Sequence, residues 1–308
     1  MSVVLVAYLA TLALHAGFVG YVVVGTAYVL VQAVRRADDP LATMVLSRLP
    51  FMLGCGITAG VAPLLFLQLL YQRRFYTANL LMGPRWILIV PALIVGFYGL
   101  YLAKHTARRR GLVLGAALIC FAFVAYAWSE QHALMQADGA WEAMYAAGQR
   151  VYVAAEIPLR FALFAGGMAA LFAGIAAWST PLRRRLAVIA LAGRGASVAA
   201  ALALGFAPAG TALGLGAAVA VDVIGWLLVL RRPADGRGLW IATGGGVTTL
   251  VAAVIVRELP RLALVEPEGP LSAGAGGAVV FVVAVAIGAA AIAWVVRTVR
   301  GAAPDEPA

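Results

Sequence analysis

RRRLAVIALAGRGASVAAALALGFAPAGTALGLGAAVAVDVIGWLLVLRR, residues 183–232, decides the fold. It holds two apolar segments, 183–206 and 210–230, joined by the short turn FAPAG. Each segment carries one charge, Arg194 or Asp222. Each charge lies nine positions from the basic cluster at its segment's end, Arg185 in one case and Arg231 in the other. A helical hairpin therefore puts both at one depth in a bilayer. A charge at that depth costs about 2.5–3.5 kcal/mol on insertion scales, so it turns into the protein and takes a partner. The spacing predicts that Arg194 and Asp222 partner each other, with Gly193 and Gly195 letting a neighbouring helix come close. Such a pair is either a structural pin or a step in a proton or ion route.

The rest of the chain has the same texture. Of its 308 residues, 64% are hydrophobic and 12% charged. Soluble domains carry about 25% charged residues, so the composition is that of an integral membrane protein. Net charge is +10, but the basic residues cluster between apolar segments. That distribution orients a chain in a membrane and argues against nucleic acid as a partner. Cys55 and Cys120 sit inside apolar segments without CxxC or CxxCH spacing, which fits buried apolar residues better than a disulfide or covalent haem attachment. The N-terminal MSVVLVAYLATLALHAGFVGYVVVG (1–25) lacks a basic n-region and is too long for a signal h-region, so it reads as a retained helix.

About twenty apolar residues cross the hydrocarbon. Nine stretches qualify: 4–33, 51–71, 85–103, 111–129, 157–178, 185–206, 210–230, 239–257 and 276–297. The expected fold is all-α, a bundle of nine transmembrane helices. Lipid is its surroundings and a bacterial inner (plasma) membrane its location. With the N-terminus outside, the clusters at Arg35–Arg36, Lys104–Arg110, Arg183–Arg185, Arg231–Arg237 and Arg297–Arg300 fall in the cytoplasm with the C-terminus. The acidic stretches around Glu130, Asp138, Glu142 and Glu156, and around Glu258, Glu266 and Glu268, fall outside. One loop breaks the rule. Arg73, Arg74 and Arg85 land outside, which assigns them local work or leaves them outvoted by the neighbouring spans.

Residues 1–178 hold most of the aromatic residues and all three histidines, and read as the functional half. Residues 179–300 are rich in Ala, Gly and Val and read as close-packed helices, with 301–308 a disordered tail. In the first half, His15 stands near Gly17, Gly20 and Gly25. A histidine in hydrocarbon is a candidate haem ligand, or else it packs by hydrogen bonding to a neighbouring helix. His132 follows the fourth span and is either a second candidate ligand or a surface histidine. His105 belongs to the basic cluster KHTARRR. The stretch LPFMLGCGITAGVAPLLFLQLLYQRRFYTANLLMGPRW (49–86) is the densest pattern. Gly56 and Gly60 form a GxxxG packing face, and Pro63 is placed to kink the span. Gln68, Arg73, Arg74 and Tyr76 make a polar, aromatic run that suits haem propionates, a quinone headgroup or lipid phosphates, and equally an ordinary aromatic belt. Residues 136–161 read as an interfacial helix around Trp141, Met144, Tyr145 and Tyr152, leading into an i, i+4 pair of Glu156 and Arg160. Walker loops, nucleophile elbows and metal-ligand spacings are missing from the sequence.

GITAGVAPLLFLQLLYQRRFYTANLLM (56–82) and AEIPLRFALFAGGMAALFAGIAAW (155–178) resemble an uncharacterised group of bacterial polytopic membrane proteins linked to respiratory cytochromes. The first half more faintly resembles subunit I of the bd-type quinol oxidases, which has a histidine early in its first helix. The resemblance implies a subunit serving respiratory electron transfer. It would hold a b-type haem or a quinone, with His15 the axial metal ligand, Arg73 and Arg74 near propionates or quinone, and respiratory proteins as partners. The chain departs from the pattern in two places. Arg160 stands where the first group often has a histidine, and the oxidases' quinol loop and further haem ligands are missing. Two other expectations remain open: a small-molecule or ion transporter using Arg194 and Asp222, and a non-catalytic anchor presenting the helix around Trp141–Tyr152.

Overall fold

The computed structural model describes residues 3–205 and 209–264, and among them every regular element is helical. Eleven α-helices follow in chain order: α1 (Val3–Arg35), α2 (Pro40–Leu70), α3 (Gln72–Met82), α4 (Pro84–Ile87), α5 (Ile89–His105), α6 (Arg110–Leu134), α7 (Trp141–Ala146), α8 (Glu156–Ala177), α9 (Arg183–Ala203), α10 (Ala209–Arg231) and α11 (Gly236–Leu264). Eight helices are long and apolar enough to cross a membrane, with α4 and α5 together supplying one of them. The chain is a multi-pass membrane protein by this measure. The expected ninth span, 276–297, and the expected tail lie outside the described residues.

The surface has the polarity of a protein solvated by lipid. Leu14, Phe51, Ile119, Leu213 and Trp240 are all exposed on spanning helices. Charge and hydrogen-bonding groups turn inward instead, because hydrocarbon offers them no partner.

Short connections between antiparallel helices sort the loops into two ends. The basic end is tied at Asp39. This residue caps α2, its side chain accepting from the backbone N–H of Leu41 (2.9 Å) and of Ala42 (3.1 Å), while Pro40 fills the first helical position, where no N–H is needed. The Tyr28 hydroxyl donates to the same carboxylate at 2.9 Å, and Arg185 of α9 pairs with it. Lys104 reaches the Ser47 carbonyl and Arg48 reaches Ser179 at this end too.

The opposite end explains the loop that broke the charge rule. Arg74 is buried. It donates to the Met135 carbonyl at 3.0 Å, pairs with Asp138 at 2.9 Å and lies over the Trp141 ring. Arg85 pairs at 2.6 Å with Glu130, whose carboxylate also accepts from the Tyr152 backbone N–H. Two of the three misplaced arginines are therefore neutralised within the protein. The expected interfacial helix over 136–161 is mostly absent. Between Leu134 and the start of α8 at Glu156 only Trp141–Ala146 is α-helical, and residues 147–155 run irregularly.

Two further boundaries differ from the sequence reading. The fourth span, expected to end at 129, continues as helix to Leu134 with Ser129–Leu134 buried. The eighth, expected to end at 257, continues through Pro260 to Leu264. Bilayer thickness sets how many residues a span needs, not where its hydrogen-bond ladder stops. The 29 residues of α11 reach roughly 43 Å at 1.5 Å per residue, beyond a hydrocarbon core of about 30 Å.

Small residues set the helix spacing. A Cβ added at Gly166 of α8 would stand 2.4 Å from the Gly193 carbonyl of α9, and one at Gly245 of α11 would stand 2.5 Å from the Asp222 nitrogen of α10. These contacts are backbone to backbone, the spacing that small-residue faces permit in membranes. Gly195, also expected to admit a neighbour, faces open space. The GxxxG face of α2 packs on α1, Gly56 against Phe18 and Gly60 against His15.

Burial pushes the Asp39 carboxyl up. The Ala42 N–H, the Tyr28 hydroxyl, the Arg185 charge and the Leu41 N–H outweigh burial and hold it below its usual value. A depressed folded value means the carboxylate stabilises the fold fully above the unfolded pKa, about 3.9, and loses that contribution as pH falls through the folded value. Asp39→Asn keeps the cap and removes the charge. The thermal stability gap between wild type and Asp39→Asn should be constant above about pH 5 and narrow below about pH 4; a gap that stays constant through that range refutes the ionic role.

Candidate functional site

The hairpin of α9 and α10 brings Arg194 and Asp222 into contact. The guanidinium donates to Asp222 Oδ2 from Nε at 2.8 Å and from a terminal nitrogen at 2.6 Å. Both residues are buried, and Asp222 Oδ1 has no partner. The approach of α11 at Gly245 seals the carboxylate from lipid. The pair is neutral as a unit, which is how a bilayer tolerates two charges at this depth.

Beside it lies a cavity of about 100 Å³ between α1, α8, α9 and α11. Its walls are mainly apolar, from Leu12 and Ala16 of α1, Leu163, Phe164 and Met168 of α8, and Leu250 and Val254 of α11. Five polar side chains interrupt them: Arg160, Arg194, Ser197, Thr249 and Arg257. On α11 the lining runs from Arg257 to Gly246, roughly 16 Å along the axis. The cavity therefore extends from the opposite end to the middle of the span, where it meets Arg194.

Most of the polar lining is already engaged. Arg160 donates twice to Glu156, at 3.0 and 2.8 Å. The Ser197 hydroxyl donates to the Leu163 carbonyl at 3.1 Å. Arg257 is different. One terminal nitrogen lies 3.1 Å from His132 Nδ1 and the guanidinium sits over the Phe164 ring, yet its Nε is buried without a hydrogen-bond partner. The buried Thr249 hydroxyl has no partner either.

Beyond Arg257 a buried polar cluster closes that end. Arg261 donates to both Glu258 oxygens, at 3.2 and 3.1 Å, and to the Tyr8 hydroxyl at 3.3 Å. It contacts His132 Nδ1 and lies over the Tyr71 ring. Two guanidiniums directed at Nδ1 require a lone pair there, so the His132 ring is neutral with its proton on Nε2. His132 is buried, not a surface histidine.

The residues singled out in the sequence scatter around this site. His15 turns toward α2, its Nδ1 2.9 Å from the Gly56 carbonyl and its ring against Gly60. It does not line the cavity, to which α1 contributes Leu12 and Ala16. Gln68 is half-buried on α2, and Arg73 and Tyr76 are exposed on α3. Arg74 is held by Met135 and Asp138. Arg257 is the last residue of the expected eighth span and Glu258 belongs to the expected outer stretch, and sequence reasoning singles out neither these nor Arg261 as site residues. Their i, i+3, i+4 spacing, which continues the helical register past 257, was the signal that places them on one buried face.

The chain matches no model of a known protein family, and no curated protein matches it.

Removing one partner of the central pair leaves an uncompensated charge in an apolar interior. Arg194→Ala should lower stability by about 3–5 kcal/mol, while Arg194→Leu combined with Asp222→Leu should recover most of the loss. Thermal unfolding of the detergent-purified variants checks this; a double variant as unstable as the single would overturn the reading of the two as a unit.

Proposed function

We propose that the protein is a multi-pass transporter for a small polar organic molecule. The cavity that runs along α11 from beneath the buried polar cluster to Arg194–Asp222 in the middle of the span is the observation that carries this reading. Transporter sites lie near the bilayer midplane, reached from one side at a time and built from polar groups in otherwise apolar helices. The cavity covers about half the hydrocarbon thickness and is bounded by the polar cluster at one end and the ion pair at the other, the form of a site closed toward both sides. In this reading the basic end faces the cytoplasm of a bacterial inner membrane, the N-terminus lies outside, and segment 276–297 supplies a ninth span that returns the C-terminus to the cytoplasm.

A second reading, a subunit serving respiratory electron transfer, is favoured by one contact. The hydrogen bond from His15 to the Gly56 carbonyl is the kind of support that fixes an imidazole tautomer and leaves Nε2 for a metal. Haem b or a quinone is then the cofactor, with Arg73, Gln68 and Tyr76 around it and respiratory proteins as partners. Two observations weigh against the haem. The described cavity of about 100 Å³ is too small for a macrocycle and lacks His15, and the guanidiniums of Arg257 and Arg261 already engage His132.

Two measurements separate the readings. Vesicles containing the protein should take up members of a labelled panel of small organic acids, amines and amides faster than protein-free vesicles. Ala253→Phe, which fills the cavity, should reduce uptake to background; uptake that Ala253→Phe leaves unchanged, or none from the whole panel, refutes transport through this site. A reduced-minus-oxidised spectrum of wild type beside His15→Ala tests the alternative. A band near ~560 nm that vanishes in the variant would replace transport with haem-based electron transfer.

A further inference from the structure

Four guanidiniums surround the cavity and the cluster that closes it, Arg194 and Arg261 buried and Arg160 and Arg257 half-buried. Three carboxylates face them. Glu156 pairs with Arg160, Asp222 with Arg194 and Glu258 with Arg261, at 2.8, 2.6 and 3.1 Å. Arg257 has no carboxylate within ion-pair distance among the described residues; its contacts are a neutral imidazole and an aromatic face. An arginine remains charged in proteins, and an uncompensated charge in an apolar interior is costly. Among the described residues the site carries one positive charge too many and has donors without acceptors, at Arg257 Nε and at the Thr249 hydroxyl. Both residues line the cavity.

We infer that the cavity binds a small monocarboxylate with a short apolar body, its carboxylate on Arg257. The inference rests on the transporter reading and names its substrate class. One negative charge balances the site, whereas a dianion such as phosphate would leave the reverse imbalance in the same apolar surroundings. The guanidinium fork matches a carboxylate geometrically, and Thr249 on the same helix offers a further donor. The remaining wall, Leu12, Phe164, Leu250 and Val254, is apolar and suits a hydrocarbon body. Size restricts that body. A dry cavity of about 150 Å³ accepts benzene, so the smaller volume here fits a chain of a few carbons.

Butyrate and butyramide, alike in shape and different in charge, test this by calorimetric titration of the purified full-length protein. Butyrate should bind, and butyramide should bind weaker by about tenfold or more, the scale of a hydrogen-bonded charge. Arg257→Gln should remove the preference, Arg257→Lys should retain part of it, and Ala253→Phe should abolish binding of both. The comparison of acid with amide on wild type stands even where a variant fails to fold. Equal binding of the two, abolished by Ala253→Phe, overturns the monocarboxylate and leaves the cavity as the site. Binding of both that Ala253→Phe leaves unchanged overturns the cavity reading together with the inference. No butyrate binding at millimolar concentration overturns the inference alone, since the uptake panel tests transport without it.

Discussion

Hydrocarbon gives a charged side chain nothing to bond, and the tertiary structure of this protein is arranged around that constraint. Arg194 and Asp222 lie on consecutive helices, and α11 closes over the aspartate because α10 and α11 approach one another through glycine and alanine. At Gly245 the backbone of α11 comes so near the Asp222 nitrogen that a methyl group would overlap it. The Ala- and Gly-rich composition of the second half therefore has a definite consequence: side chains small enough to bring backbones together also exclude lipid from the ion pair they enclose.

The same constraint shapes both ends of the bundle. At the basic end one carboxylate, Asp39, caps α2 and accepts from Tyr28 while pairing with Arg185, joining the first hairpin to α9. At the opposite end Arg74 and Arg85 appear in sequence as violations of the charge rule. In space they are the partners of Asp138 and Glu130. A rule that counts basic residues by loop cannot see that cancellation, because the acids come from about forty-five to sixty-five positions later in the chain.

Of the four arginines around the cavity and its closing cluster, one lacks a carboxylate partner among the described residues. Arg160, Arg194 and Arg261 each have a carboxylate, while Arg257 has an imidazole and a phenyl ring. The incomplete position and the open volume coincide on α11. Packing alone does not require that coincidence, since a leucine at 257 would be the cheaper choice in such surroundings. A ligand that brings its own negative charge accounts for both.

The sequence by itself determined the membrane class, the helical architecture and the eight described spans, because twenty-residue apolar runs and flanking charges are local properties. It also placed Arg194 and Asp222 at one depth, since hairpin geometry follows from segment length. It did not reveal that His15 turns to α2 and that Leu12 and Ala16 face the cavity instead; rotation about a helix axis is decided by neighbouring helices, and α1 is too uniformly apolar to mark a preferred face. Nor did it place Arg257, Glu258, Arg261, Glu130 and His132 inside the protein. Local composition reads those residues as a polar loop, and only the convergence of α1, α2, α6 and α11 at one end supplies the partners that make their burial possible.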